Sequence, residues 1–136
     1  MALRLAPVAV ALALALAACG SDGGEALPPL SPAGERGQTV ASENGCTSCH
    51  TADGARSTGP TWRGLAGSEV ELDDGETVVA DEDYLRRAIV DARSEVVDGF
   101  ANIMPVYDDV LTEAEVDDLL AYLHDLGVDA KGEPEG

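Results

Sequence analysis

The sequence predicts an all-α fold of three main helices, with a small β-hairpin inserted between the first and the second, gathered around a bound group. Three observations carry this. Val116, Leu119, Leu120, Leu123 and Leu126 recur at helical spacing near the C-terminus. Leu85, Ala88, Ile89 and Ala92 repeat that spacing mid-chain, behind Asp81, a favoured helix cap. Between Gly45 and Thr51 lies Cys46-Thr47-Ser48-Cys49-His50, whose chemistry calls for a large apolar partner.

Two thiols three positions apart, with an imidazole directly after the second, form the attachment pattern for a c-type haem. About one turn of backbone sets both sulfurs along one porphyrin edge, where each adds to a vinyl group. The next side chain, His50, then lies under the iron as its ligand. A Cys-x-x-Cys redox pair and half of a zinc site are the competing readings. Zinc would need two further thiolate or imidazole ligands, and only Cys19 and His124 are left. A redox pair would call for a βαβ context, which the chain lacks. One covalent haem c is therefore expected.

Composition agrees. In 136 residues there are one Trp, one Phe and three Tyr, so the side chains alone supply a thin core. A covalent porphyrin would add the missing flat apolar body. The charge is −18, with 26 acidic residues against 8 basic ones. This argues against binding nucleic acid or an anionic membrane surface by charge. It suits docking to a partner with a positive face, and equally a general role in solubility.

In chain order, residues 1–18 read as an export signal. Arg4 supplies the positive end, and the apolar run Leu5–Ala18 is shorter than the roughly 20 residues a spanning helix needs. It ends Leu16-Ala17-Ala18-Cys19, which resembles a bacterial lipobox. The resemblance implies cleavage before Cys19 and lipidation there, and two or more acyl chains anchor stably. The alternative is an ordinary signal followed by a stray thiol. Residues 19–33, with Gly20, Gly23, Gly24, Pro28, Pro29 and Pro32, read as a linker able to span up to about 45 Å. Residues 34–128 form the domain, and 129–136 an acidic disordered tail.

Within the domain a first helix is expected over Gly34–Asn44, with Ser31 and Pro32 as start signals and Gly45 past its end. Gly37 inside it implies a closely packed partner, expected to be the C-terminal helix. Val70-Glu71-Leu72 and Thr77-Val78-Val79 flank Asp74-Gly75 and read as a hairpin over Glu69–Val79 with a two-residue turn. Asp81 caps a middle helix over Glu82–Ala92, whose apolar face is assigned to the core. Arg86, Arg87 and Arg93 would form local ion pairs or meet acidic groups of the cofactor. Val96–Tyr107 is irregular and ends Asn102-Ile103-Met104-Pro105. Thr112 and Glu115 form a capping box for the last helix, which ends at Gly127.

The order Cys-x-x-Cys-His, then Gly59-Pro60, then Met104-Pro105 resembles a class I cytochrome c. The resemblance implies that fold, with three helices around the haem. It also implies that the Pro60 carbonyl accepts a hydrogen bond from the ring of His50, and that Trp62 packs on the porphyrin. Met104 would be the second axial ligand; its thioether is soft and raises the potential relative to a second imidazole. His124 is the rival. From Gly34 to Gly127 the chain is similar to the cytochrome c domain fused to subunit II of some bacterial haem–copper oxidases. It departs from that pattern because no cupredoxin-like stretch or pair of spanning helices precedes the domain, so a free-standing lipoprotein version is implied.

The expected function is a membrane-anchored one-electron carrier on the outer, periplasmic or extracytoplasmic face of the cytoplasmic membrane. Its partners would be a respiratory donor and an acceptor such as a haem–copper oxidase. The alternatives are a haem enzyme or gas sensor with displaceable Met104, and a fixed cytochrome subunit of a larger complex. Cys19→Ser is expected to move the protein from the membrane to the soluble fraction on cell fractionation. Retention in the membrane would contradict the lipid anchor.

Overall fold

A computed structural model of the protein describes residues 27–127. The signal segment, Cys19, the linker up to residue 26 and the tail lie outside the described residues. Three helices run Pro32–Glu43 (α1), Glu82–Val90 (α2) and Glu113–Asp125 (α3). A short 3-10 turn covers Cys46–Ser48, and strands Glu69–Glu71 (β1) and Thr77–Val79 (β2) form one antiparallel hairpin.

The first helix starts two residues earlier than expected. Ser31 is its cap, accepting from the Gly34 amide at 3.0 Å, and Pro32 fills the first helical position, where a missing N–H costs nothing. Asp125 at the far end of α3 accepts from both the amide and the hydroxyl of Ser31, at 2.7 and 2.8 Å. Pro28 is already buried. Ser31 and Pro32, the start signals read from the sequence, thus form the cap and first residue of α1.

Helices α1 and α3 pack antiparallel. A Cβ built on Gly34 would meet the Asp125 carboxylate, and one on Gly37 would stand 2.0 Å from the Asp118 carbonyl oxygen and 2.8 Å from Tyr122 Cβ. Backbone meets backbone at Gly37, so any side chain there would force the helices apart, as its place in the helix predicted. Arg36 clamps the crossing with two hydrogen bonds to Asp118, at 2.9 and 2.6 Å. That pairing raises the pKa of Arg36 and lowers that of Asp118.

The capping box on α3 forms as expected, and all five residues of its apolar stripe are buried. Burying a Leu or Val of this kind is worth roughly 1.5–3 kcal/mol. The stripe packs with Val40 and Ala41 of α1. Glycine does end α3, though without a left-handed backbone. A Cβ on Gly127 would stand 3.3 Å from the His124 carbonyl oxygen and 3.4 Å from that of Ala66, a snug fit at most.

In the hairpin Glu69 pairs with Val79, Val70 with Val78 and Glu71 with Thr77. The connection is not the expected two-residue turn. The Leu72 amide donates to the Glu76 carbonyl at 2.8 Å, which leaves a three-residue loop of Asp73, Asp74 and Gly75. Gly75 has a φ of +87°, the left-handed third position such loops require. A further antiparallel bridge joins Leu72 to Val97, tying the hairpin to the irregular segment that leads to Met104.

Asp81 caps α2, accepting from the Tyr84 amide at 2.8 Å. The helix stops at Val90, short of the expected Ala92, because Asp91 leaves helical geometry and its carbonyl accepts from the Ser94 amide and hydroxyl. Arg86 reaches Glu82 within α2 and Glu113 and Asp117 on α3, while Arg87 pairs with Glu95. Both therefore form ion pairs among the protein's own carboxylates.

Candidate functional site

Gly45 adopts φ +72° after α1 and turns the chain into the Cys46–Ser48 segment. The Cys49 and His50 amides both donate to the Cys46 carbonyl, at 3.1 Å. This single tight turn gathers two thiols and an imidazole within five residues. Neither thiol is in a disulfide. Burial pushes the Cys46 thiol pKa up, opposed by a hydrogen bond with Tyr107. The Tyr107 hydroxyl pKa is raised in turn, mainly by burial and secondarily by the nearby Cys46.

His50 is held on two sides. Its Nδ1 lies 2.7 Å from the Pro60 carbonyl oxygen, which can only accept, so Nδ1 carries the proton. Nε2 is left as the unprotonated nitrogen. Burial lowers the imidazole pKa, partly offset by the Pro60 bond, so the ring is neutral at pH 7. Trp62 stacks on it, with ring centroids 5.1 Å apart and planes 13° from parallel. Tyr122 of α3 meets Trp62 edge-on at 5.8 Å. Gly59 is required by space: a Cβ there would stand 2.6 Å from His50 Cε1.

Cys46, Cys49, His50, Pro60, Trp62 and Met104 all line one cavity, which is bounded mainly by apolar side chains. Met104 comes from a separate segment and is half-buried. His124 is exposed and lines no part of this cavity. Arg86, Arg87 and Arg93 also lie outside its lining. Leu85, Ala88, Ile89 and Ala92, which periodicity assigned to the core, are packed there or against it and also line the cavity, as do Phe100 and Tyr107. Their apolar spacing was visible, but spacing does not tell a helix neighbour from a cofactor.

Among the described residues, no three His, Cys, Asp or Glu side chains converge to hold a metal ion, so the zinc reading has no ligand set there. A covalent haem does fit these residues. Two thiols sit side by side, a neutral imidazole is fixed in one tautomer, a thioether lines the same apolar space, and Gly59 keeps the imidazole's place clear. Fold and site together define a small helical domain with an apolar cavity, lined by two thiols, an imidazole and a thioether, that would hold a covalently attached porphyrin.

The chain belongs to the cytochrome c family, whose model, described as Cytochrome c, matches residues 34–127. It is a class I c-type cytochrome, an electron-transfer protein carrying one covalently attached haem c, with Cys46 and Cys49 in the Cys-x-x-Cys-His motif. Comparison with curated proteins yields no match.

Gly59→Ala is expected to displace the His50 ring from Pro60 and to cost about 1–3 kcal/mol. Thermal unfolding of the haem-loaded protein should show this as a midpoint roughly 5–15 °C lower. An unchanged midpoint would mean that the ring moves freely in its pocket.

Proposed function

We propose that this chain is a membrane-anchored, monohaem one-electron carrier of a respiratory chain, passing electrons toward a terminal oxidase of the haem–copper class. The observation that carries the reading is the convergence of His50 and Met104 on the cavity that also holds Cys46 and Cys49. When bound, the haem supplies a reversible Fe(II)/Fe(III) couple. The protein's part is to tether, orient and close. Cys46 and Cys49 tether the ring. Pro60 holds His50 with Nε2 free to coordinate, and orienting partners of this kind are what set a ligand's basicity. Pro105 restricts Met104 to extended backbone and so helps to present its sulfur. If His50 and Met104 both held the iron, no coordination position would be left for a substrate, which would suit a carrier rather than a catalyst.

The anchor reading rests on Leu16-Ala17-Ala18-Cys19. The described chain enters α1 at its N-terminal end, 12 helical residues from Glu43, or about 18 Å from the side of the Cys46 turn. The docking reading is supported by the segment around Met104. Ile103, Val106 and Val110 are 60%, 41% and 61% exposed, and Val106 and Val110 lie outside the cavity lining. Asp108 and Asp109, also exposed, lie between them. An apolar patch with an acidic border complements a partner surface that is apolar at its centre and basic at its rim.

Met104→Ala should lower the reduction potential by roughly 100 mV or more, measured by protein-film voltammetry. An unchanged potential would remove Met104 from the iron. Electron transfer to a cationic redox partner should slow several-fold between 0.1 and 1 M salt, as screening shortens from about 10 to 3 Å. A flat salt profile in stopped-flow would mean that the acidity serves solubility alone.

A further inference from the structure

We propose that Arg56 is a latch: it holds the Met104 segment against the loop that follows His50, and so sets how often the Met104 side of the cavity opens. The inference rests on the reading of Met104 as the second axial ligand and adds what keeps it in place.

The segment that carries Met104 is held at its start by the hairpin and at its end by Tyr107, with few distant holds between. The Asp73 amide donates to the Val96 carbonyl and the Asp98 amide to the Glu71 carbonyl, both at 2.9 Å, and Leu72 bridges to Val97. Beyond Asp98 the backbone hydrogen bonds become local. Phe100 donates to Val97 at 3.2 Å and Ile103 to Ala101 at 2.9 Å, contacts that travel with the segment itself. Asn102 makes only a long bond, 3.4 Å, to the Arg93 carbonyl. The next hold on a distant part of the fold is the Tyr107 hydroxyl on the Asn44 carbonyl at 3.3 Å, past Met104.

Arg56 fills this gap from a rigid platform. Its loop is pinned by the Gly59 amide on the Cys49 carbonyl and the Trp62 amide on the Thr51 carbonyl, both at 2.8 Å. The Gly54 amide donates to Thr61 Oγ1 at 3.1 Å and the Ala55 amide to Asp53 Oδ1 at 2.9 Å. From this platform Arg56 Nη2 donates to the Gly99 carbonyl at 2.9 Å. Its guanidinium carbon lies 4.6 Å from the centroid of the Phe100 ring, and Phe100 lines the cavity. Gly99 adopts φ +75°, a left-handed conformation that suits glycine.

The choice of partners is informative. Arg36, Arg86 and Arg87 each engage a carboxylate. In a chain with 26 acidic residues, Arg56 engages a backbone carbonyl and an aromatic face in the middle of the Met104 segment, between its holds at the hairpin and at Tyr107. Planar guanidinium suits this double contact better than an ammonium does. Because Arg56 is exposed, each contact is modest, which fits a catch that slows opening without locking it.

The test uses the haem-loaded ferric protein and imidazole as the probe, followed by stopped-flow absorbance. Imidazole can bind only when Met104 has left, so its limiting rate at high concentration reports opening of the segment. Arg56→Gln should raise that rate about five- to ten-fold. Arg56→Lys should fall between it and the wild type. Arg87→Gln, which removes another exposed cation outside the cavity lining, should leave the rate unchanged. Amide hydrogen exchange of Arg56→Gln should speed at Gly99–Ile103 and stay the same in β1 and β2. A wild-type rate in Arg56→Gln would overturn the latch, as would an equal acceleration in Arg87→Gln or faster exchange throughout. Met104→Ala separates this from the underlying reading. It should bind imidazole with no limiting rate, and if it instead behaves as the wild type, Met104 is not the ligand.

Discussion

The position of His50 depends on one hydrogen bond, from its Nδ1 to the Pro60 carbonyl, and much of the domain serves that bond. The turn at Gly45 places the imidazole and both thiols. Gly59, which precedes the accepting residue, must be bare of side chain to let the ring in. Trp62 stacks on the ring's face and is braced edge-on by Tyr122, so the helix that supplies the core also supports the ligand. The close meeting of α1 and α3 at Gly37 puts that brace in place. A neutral, oriented imidazole is the result, ready to coordinate without reorganisation.

The part of the cavity lining that carries Met104 is built differently. Met104 lies in an irregular segment, held at its start by the hairpin and at its end by Tyr107. This asymmetry follows from chemistry. The imidazole is held by a short hydrogen bond and a ring stack, while the thioether proposed as second ligand would depend on backbone that other elements restrain. The hairpin therefore does more than fill a gap between helices, because its Leu72 reaches Val97 and fixes where the Met104 segment begins.

Much of this was legible in the sequence because it is local or periodic. Ser31, Asp81 and Thr112 announce helix starts with side chains that satisfy amides two or three residues on. The α3 stripe repeats at the helical period, and Gly37 in a helix implied a close neighbour that proved to be α3. Gly59-Pro60 was readable only through its resemblance to a family pattern. What escaped was long-range or depended on what an apolar face meets. Arg56 and Gly99 are 43 positions apart, and nothing in either neighbourhood points to the other. The Leu72–Val97 bridge is hidden for the same reason. The α2 face was rightly assigned to the core, but its second role as cavity lining was hidden, since burial against a protein neighbour and burial against a porphyrin leave the same pattern. The hairpin turn was misjudged by one residue because Asp-Gly suits the end of a three-residue loop as well as a two-residue one.

On the proposed reading, His50 and Met104 would both hold the iron of the covalent haem. The most direct measurement is the far-red absorption spectrum of the oxidised protein purified from a host that attaches haem. The account predicts a weak charge-transfer band characteristic of sulfur bound to ferric iron, present in the wild type and lost in Met104→Ala. A wild-type spectrum without that band would contradict it.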